Sequence, residues 1–255
     1  MGIVVDGFYS RGKSYFNCKR IEKFPYSPSF SIIEKDDYIL LAIYCMPYKY
    51  DDSVFYSQIL YRLALEDDCR YKEFTSCKDW LYSAYNSLFM GADNYEFVGQ
   101  VPIDIILCVI NKNECSYEIL FTGNGYLSLN NGIEKVTEIN IQCHNADLFK
   151  TLGNDKDAFD THCFQYFKTY NGSLHKGDRM SMASIGLNSY KSDSCEFDED
   201  KLVKTFMTRD GLNKHHTKIK LYGLDMALRH NELDYVGIRD AYNPEHANII
   251  SVKCI

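Results

Sequence analysis

What the chain has least of narrows it first. Its 255 residues include a single Trp and only five Pro. No apolar stretch approaches the roughly 20 residues that a membrane-spanning helix needs; the longest are Tyr38 to Pro47 and Ile103 to Ile110. No membrane association is expected. Basic residues are in deficit, 28 Lys and Arg against 35 Asp and Glu, for a net charge of −7. Nucleic-acid binders usually present a basic face, so no nucleic-acid partner is expected. The start, Met1-Gly2-Ile3-Val4-Val5-Asp6, lacks the basic region of a signal peptide. It also places Asp6 where a myristoylation signal wants Ser or Thr. A cytoplasmic location is the expectation. Cysteines are many, ten in all, but no pair has C-x-x-C spacing and none joins His in a zinc pattern. Cys45, Cys108 and Cys254 lie inside apolar runs, where a reduced Cys acts as a small hydrophobe. The set reads as reduced, buried thiols.

What is present is ordinary globular material, 45% hydrophobic and 25% charged, enough for one large core and a single domain over residues 1–255. The central stretch is Tyr38 to Cys45, seven apolar or aromatic residues without a break before the Cys. That pattern predicts a strand buried on both faces, stopped by Pro47, which cannot donate to a ladder. Asp51, Asp52 and Ser53 are suitable caps for the helix that follows, predicted to Leu65 with Phe55, Ile59 and Leu63 on one stripe. Strands are expected at Ile3 to Tyr9, Lys13 to Lys19 and Ser29 to Glu34, and a second helix at Thr75 to Met90 around Trp80, Leu81 and Ala84. Then come strands at Glu96 to Ile110, Tyr117 to Thr122, Gly125 to Leu129 and Glu134 to Ile139, with hairpin turns at Gly123-Asn124-Gly125 and Asn130-Asn131-Gly132. Asn171 to Gly177 reads as a polar turn before a strand at Asp178 to Ser184. Asp198 to Met207 and Thr217 to Leu228 read as helices and Ala247 to Ile255 as a last strand. Strand and helix runs are segregated, which indicates α+β layers.

Several constellations invite a chemical reading and have a plainer one. Asp210 in Arg209-Asp210-Gly211-Leu212 follows residues at helical spacing and reads as a helix-end or turn residue. His215 and His216 are adjacent and point to different faces, whereas a ligand pair wants i, i+4 or i, i+2 spacing; a solvated loop is expected. Asp155, Asp157 and Asp160 lack the spacing of a cation loop. His162 and Cys163 are sequence neighbours, a poor geometry for a thiolate pair.

Five local patterns in order give the chain a resemblance. Arg11-Gly12-Lys13-Ser14 leads into Cys18-Lys19, Leu41 to Pro47 forms the buried strand, and Leu120 to Gly125 precedes Asn131-Gly132. Gly177-Asp178-Arg179 then runs through Ala183-Ser184-Ile185-Gly186-Leu187, and His246-Ala247-Asn248-Ile249-Ile250-Ser251-Val252 closes the chain. Together they resemble the metal-dependent protein phosphatases of the type 2C class. The resemblance implies a four-layer αββα sandwich, two antiparallel β-sheets flanked by helices. It also implies a carboxylate cluster that holds two divalent cations and a metal-bound water that attacks phosphate.

The positions that carry that chemistry are altered. Where the family has Glu-Asp, this chain has Cys18-Lys19. The strand-end Asp aligns with Cys45, the Asp of Asp-Gly-Leu with Ile185, the late Asp with Ala247, and the phosphate-binding Arg with Ser14. Mg²⁺ and Mn²⁺ want hard oxygen ligands, so no catalytic, metal or cofactor residue is expected. The resemblance therefore implies a pseudophosphatase, a regulatory or protein-binding module whose partner is a kinase, a phosphatase or a phosphoprotein. The alternatives are an active Mn- or Mg-dependent serine/threonine phosphatase with a non-standard site drawn from Asp6, Asp36, Asp37, Asp51, Asp52 and Asp210, or an unrelated α+β interaction domain.

Overall fold

The computed structural model describes residues 1–10, 30–45, 52–91, 104–138, 168–184, 199–214, 216, 217, 220 and 247–255. They contain nine strands and three named helices: β1 Ile3–Ser10, β2 Phe30–Glu34, β3 Tyr38–Cys45, α1 Asp52–Tyr71, α2 Cys77–Gly91, β4 Asp104–Asn111, β5 Ser116–Leu129, β6 Gly132–Glu138, β7 Lys168–Ser173, β8 Arg179–Ser184, α3 Glu199–Met207 and β9 Ala247–Cys254. The chain divides into two compact units, one of Met1–Pro28, Gly125–Val136 and His175–Ile255, the other of Ser29–Asn124 and Thr137–Leu174. None of the described helices is long and apolar enough to cross a membrane.

In the second unit the strand order is β2-β3-β4-β5-β7, all antiparallel. The apolar run of β3 forms the strand its composition predicts, and it is buried on both faces. Tyr38, Leu40, Ala42 and Tyr44 line one face with Ile105, Leu107, Val109 and Leu120, packed against Leu65 and Cys69 of α1 and Cys77, Trp80, Leu81 and Ala84 of α2. On the opposite face Ile39, Leu41, Ile43, Ile106, Cys108, Ile110, Ile119 and Phe121 are buried too. Alternate side chains take opposite faces of a strand, so a continuous apolar run is the pattern that double-sided burial demands.

The helices are started and joined by polar groups. Ser76 caps α2: its hydroxyl accepts from Asp79 N at 3.2 Å and donates to Asp79 Oδ2 at 2.7 Å, a reciprocal cap. Asp68 of α1 accepts from Lys72 at 2.9 Å and from Ser87 of α2 at 2.7 Å, and Ser83 of α2 donates to it as well. That network explains two departures from the sequence reading. The helix runs on to Tyr71, with Asp68 satisfied by Ser83 and Ser87 of α2. Its buried face at this end is Leu65, Asp68 and Cys69, while Leu63, expected on the apolar stripe, is 48% exposed.

In the first unit the order is β1-β9-β8-β5, again antiparallel, with β6 pairing β5. The expected turn at Gly123-Asn124-Gly125 is not a turn. β5 is one strand whose residues 116–122 pair with β4 and whose residues 125–129 pair with β8. Glycine lets a strand bend where its partners change. The expected turn at Asn171 to Gly177 is also corrected, since β7 extends to Ser173. Gly172 lets it pass against the Tyr117 ring, where a Cβ would collide. The turn at Asn130-Asn131 is confirmed, with Asn130 at a φ of 54°. The expected strand at Lys13 to Lys19 lies outside the described residues.

Candidate functional site

The positions that would carry the chemistry lie at strand ends. In the first unit β9 opens on Ala247, fully buried and paired in register with Ser10, the last residue of β1. The next residue, Asn248, donates its backbone N–H to Ser184 Oγ of β8 at 2.9 Å. β8 ends at Ser184, so the end of the sheet that carries Ala247 is also the end from which the chain continues into Ile185. In the second unit β3 ends at Cys45, opposite Asp104 of β4. Cys18, Lys19, Ser14 and Ile185 lie outside the described residues, as do Asp51, Asp155, Asp157, Asp160, His162 and Cys163.

Among the described residues, the donors at the Ala247 end do not fit a hard divalent cation. The methyl of Ala247 offers no oxygen. Asn248 Oδ1 is buried without a hydrogen-bond partner, and it is a neutral amide oxygen, whereas Mg²⁺ and Mn²⁺ sites are built on carboxylates and water. Among the described residues no three His, Cys, Asp or Glu side chains gather as a metal site.

Of the alternative acids, Asp6, Asp37 and Asp210 have partners of their own. Asp6 lies 2.8 Å from both His216 Nε2 and Lys220 Nζ. Burial pushes its carboxyl up, but the hydrogen bonds and charges of Lys220 and His216 outweigh this and hold it below its ordinary range. Asp37 accepts from Asn113 Nδ2 at 2.9 Å in the β2–β3 turn, beside Asp36. Asp52 begins α1. Asp210 lies in the first turn of a helical segment at 209–214 and accepts from Asn131 Nδ2 at 3.3 Å. That agrees with its reading as a helix-end residue. The reading of Asn213 to His216 as a solvated loop is corrected: residues 213, 214 and 216 are helical. His216 turns inward because Asp6 awaits it, a contact across 210 residues of sequence that local polarity cannot reveal.

Among the described residues, Cys69, Cys77 and Cys108 are buried thiols poorly suited to act as nucleophiles. Cys69, Cys77, Cys108, Cys115 and Cys254 form no disulfide. Burial pushes Cys69 up to about 12 and raises Cys77 and Cys108 as well, which keeps them protonated and inert.

Two residues near these strand ends escaped the sequence reading. Asp104 is set opposite Cys45 only by the register of β3 with β4, which no sequence periodicity encodes. Asn248 stood inside a quoted motif, yet its buried, unpartnered amide oxygen emerges only from the packing.

No family model matches the chain, and no curated protein sequence matches it. Solved structures do. RsbX in complex with magnesium aligns over 98% of this chain and 94% of its own, at 10% identity and a TM-score of 0.52. The Mycobacterium tuberculosis serine/threonine phosphatase PstP aligns over 99% and 98%, at 11% identity and 0.51. The PP2C phosphatase domain of the cell-fate determinant SpoIIE from Bacillus subtilis, solved with a fragment of its regulatory domain, aligns over 98% and 63%, at 13% identity and 0.56. At such identities the likeness establishes architecture and leaves activity to the residues. The chain has the α+β fold of the type 2C, or PPM, protein phosphatases, built on two antiparallel five-strand sheets with helices.

Proposed function

We propose that this chain is a catalytically silent phosphatase-like protein, a pseudophosphatase that serves as a regulatory or protein-binding module in the cytoplasm. The observation that carries the reading is Ala247. It is fully buried at the head of β9, at the position where the type 2C pattern has a metal-binding Asp. Carboxylates crowded together without cations repel one another and resist burial. A neutral side chain there is compatible with a folded sheet and incompatible with a metal ligand. Cys45, which continues the alternation of Ile39, Leu41 and Ile43, supports the same reading by residue type. Protein partners, namely a kinase, a phosphatase or a phosphoprotein, are proposed by analogy with the fold. The SpoIIE structure, which includes part of a regulatory domain, supports that analogy.

The test is turnover. The purified chain is incubated with p-nitrophenyl phosphate and with a phosphothreonine peptide in Mn²⁺ or Mg²⁺, beside an active type 2C phosphatase. Release of phosphate no faster than in buffer is the expected result. Metal-dependent turnover that follows the chain through purification would overturn the proposal in favour of an active enzyme with a non-standard site.

A further inference from the structure

Three Asn-Gly pairs occur in the chain, Asn124-Gly125, Asn131-Gly132 and Asn171-Gly172. Such a pair is chemically fragile in water. The glycine nitrogen can attack the side-chain carbonyl carbon of the Asn, and glycine has no side chain to obstruct the approach. Closing that five-membered ring turns ψ of the Asn well away from the value of about +135° that an antiparallel strand imposes. Which pair reacts is therefore decided by where the fold puts each one.

Two of the three are held in ladders. Asn124 and Gly125 lie inside β5, and Gly125 is buried and paired with Ser184 of β8. Asn171 and Gly172 lie inside β7, paired with Glu118 and Tyr117 of β5, and Gly172 is pressed against the Tyr117 ring. The third pair is placed differently. Asn131 sits in the turn between β5 and β6, outside both strands, and both it and Gly132 are exposed. A Cβ on Gly132 would meet Leu129 O at an ordinary 3.6 Å, so the pair is uncrowded. The turn is pinned through Asn130, whose N–H donates to Arg179 O and whose carbonyl accepts from Arg209 N. The Asn131 amide donates from Nδ2 to Asp210 Oδ2 at 3.3 Å, an exposed contact.

We propose that Asn131 is a site of spontaneous deamidation, a covalent modification whose only co-reactant is water. The Gly132 nitrogen loses its proton to solvent and bonds to Asn131 Cγ. The Cγ–Nδ2 bond breaks, and the amide nitrogen takes up a proton and leaves as ammonia. Water then opens the succinimide. Addition at Cγ gives aspartate; addition at the backbone carbonyl gives isoaspartate, with the main chain rerouted through Cγ. Water enters, ammonia leaves, and nothing is oxidised or reduced. Either product sets a carboxylate beside the Asp210 carboxylate, so an attraction between the turn and helical residues 209–214 becomes a repulsion of like charges. The chemistry is independent of whether the chain hydrolyses a phosphoester.

The test is peptide mapping by mass spectrometry of the full chain, incubated folded at mildly alkaline pH beside the same chain unfolded in urea. The expected result in the folded chain is the mass gain of exchanging ammonia for water at Asn131, with isoaspartate among the products. It should be faster by about tenfold or more than at Asn124 and Asn171, which wait for their strands to open. In urea the three rates should converge. Gly132→Ala, whose added methyl the turn has room for, should slow the reaction at Asn131. Deamidation of the folded chain at Asn124 or Asn171 that keeps pace with Asn131 would overturn the proposal. So would an Asn131 that stays intact in the folded chain while it reacts in urea. Should Gly132→Ala fail to fold, the wild-type comparison of the three sites decides.

Discussion

Asn130 sits at a φ of 54°, a left-handed conformation that costs most side chains about 1–2 kcal/mol. Its amide explains why Asn occupies the position. Oδ1 accepts from Arg179 N and Nδ2 donates to Asp178 Oδ1, both at 3.1 Å. Its backbone N–H donates to Arg179 O at 2.6 Å, and its carbonyl accepts from Arg209 N at 2.8 Å. One residue thereby ties the β5–β6 turn to the start of β8 and to the helical residues after Thr208. Asn130→Ala removes two hydrogen bonds and strains the turn, and is expected to cost about 2 kcal/mol, read as a lower urea midpoint. Asp6 gives a prediction of a different kind. Its carboxyl titrates below its ordinary 3.8 in the folded chain, so the unfolded chain takes up the proton first as pH falls. The stability it contributes is fully present above the unfolded value and is lost as pH drops through the folded one. Urea midpoints at pH 6 and near pH 3 should therefore differ more in wild type than in Asp6→Asn. Equal differences would place the carboxylate outside the stability of the folded state.

At the scale of elements, the α1–α2 pair is joined by a buried carboxylate as well as by packing. Asp68→Ala strands Lys72, Ser83 and Ser87 and is expected to cost about 3 kcal/mol, the magnitude for breaking a buried charged network, measured by denaturant unfolding. Trp80 is fully buried, meets the Phe74 ring edge-on at 4.9 Å and donates from Nε1 to Phe74 O at 3.0 Å. Trp80→Ala should cost about 4 kcal/mol, followed by circular dichroism because the only Trp is lost. These elements also mark where sequence reading succeeds. β3 was legible to the residue because burial on both faces writes itself as an unbroken apolar run. α2 was legible through Trp80, Leu81 and Ala84 at helical spacing. The failures have physical causes. β5 was split in two because a Gly-Asn-Gly that lets a strand change partners looks like one that reverses it. The end of α1 was missed because Asp68 looks as solvated as its neighbours Asp67 and Arg70 until Ser83 and Ser87 arrive from another helix. β7, Lys-Thr-Tyr-Asn-Gly-Ser, alternates between half-buried and exposed positions and so carries too weak an apolar signal.

At the scale of the molecule, the fold was legible from the order of its elements and from five short patterns. The candidate site was legible only as a set of substitutions against a family pattern. Ala247 is the clearest of these, since both the alignment and the buried position at the head of β9 concern the same residue. Asp104 could not be anticipated, because cross-strand register joins residues 59 positions apart in sequence. If the site has no place for a cation, restoring one carboxylate should harm the chain. Ala247→Asp is expected to lower stability by about 3 kcal/mol, the cost of an unpaired buried charge, with no recovery of the melting temperature on adding Mn²⁺. Recovery would mean that other acids complete a site around it.

The most direct measurement of the central claim is calorimetric titration of Mn²⁺ into the full wild-type chain at neutral pH. The expected result is heat indistinguishable from dilution. Saturable binding that disappears in Asp210→Ala or Asp104→Ala would contradict the account, because it would show that the chain has rebuilt a metal centre from other carboxylates.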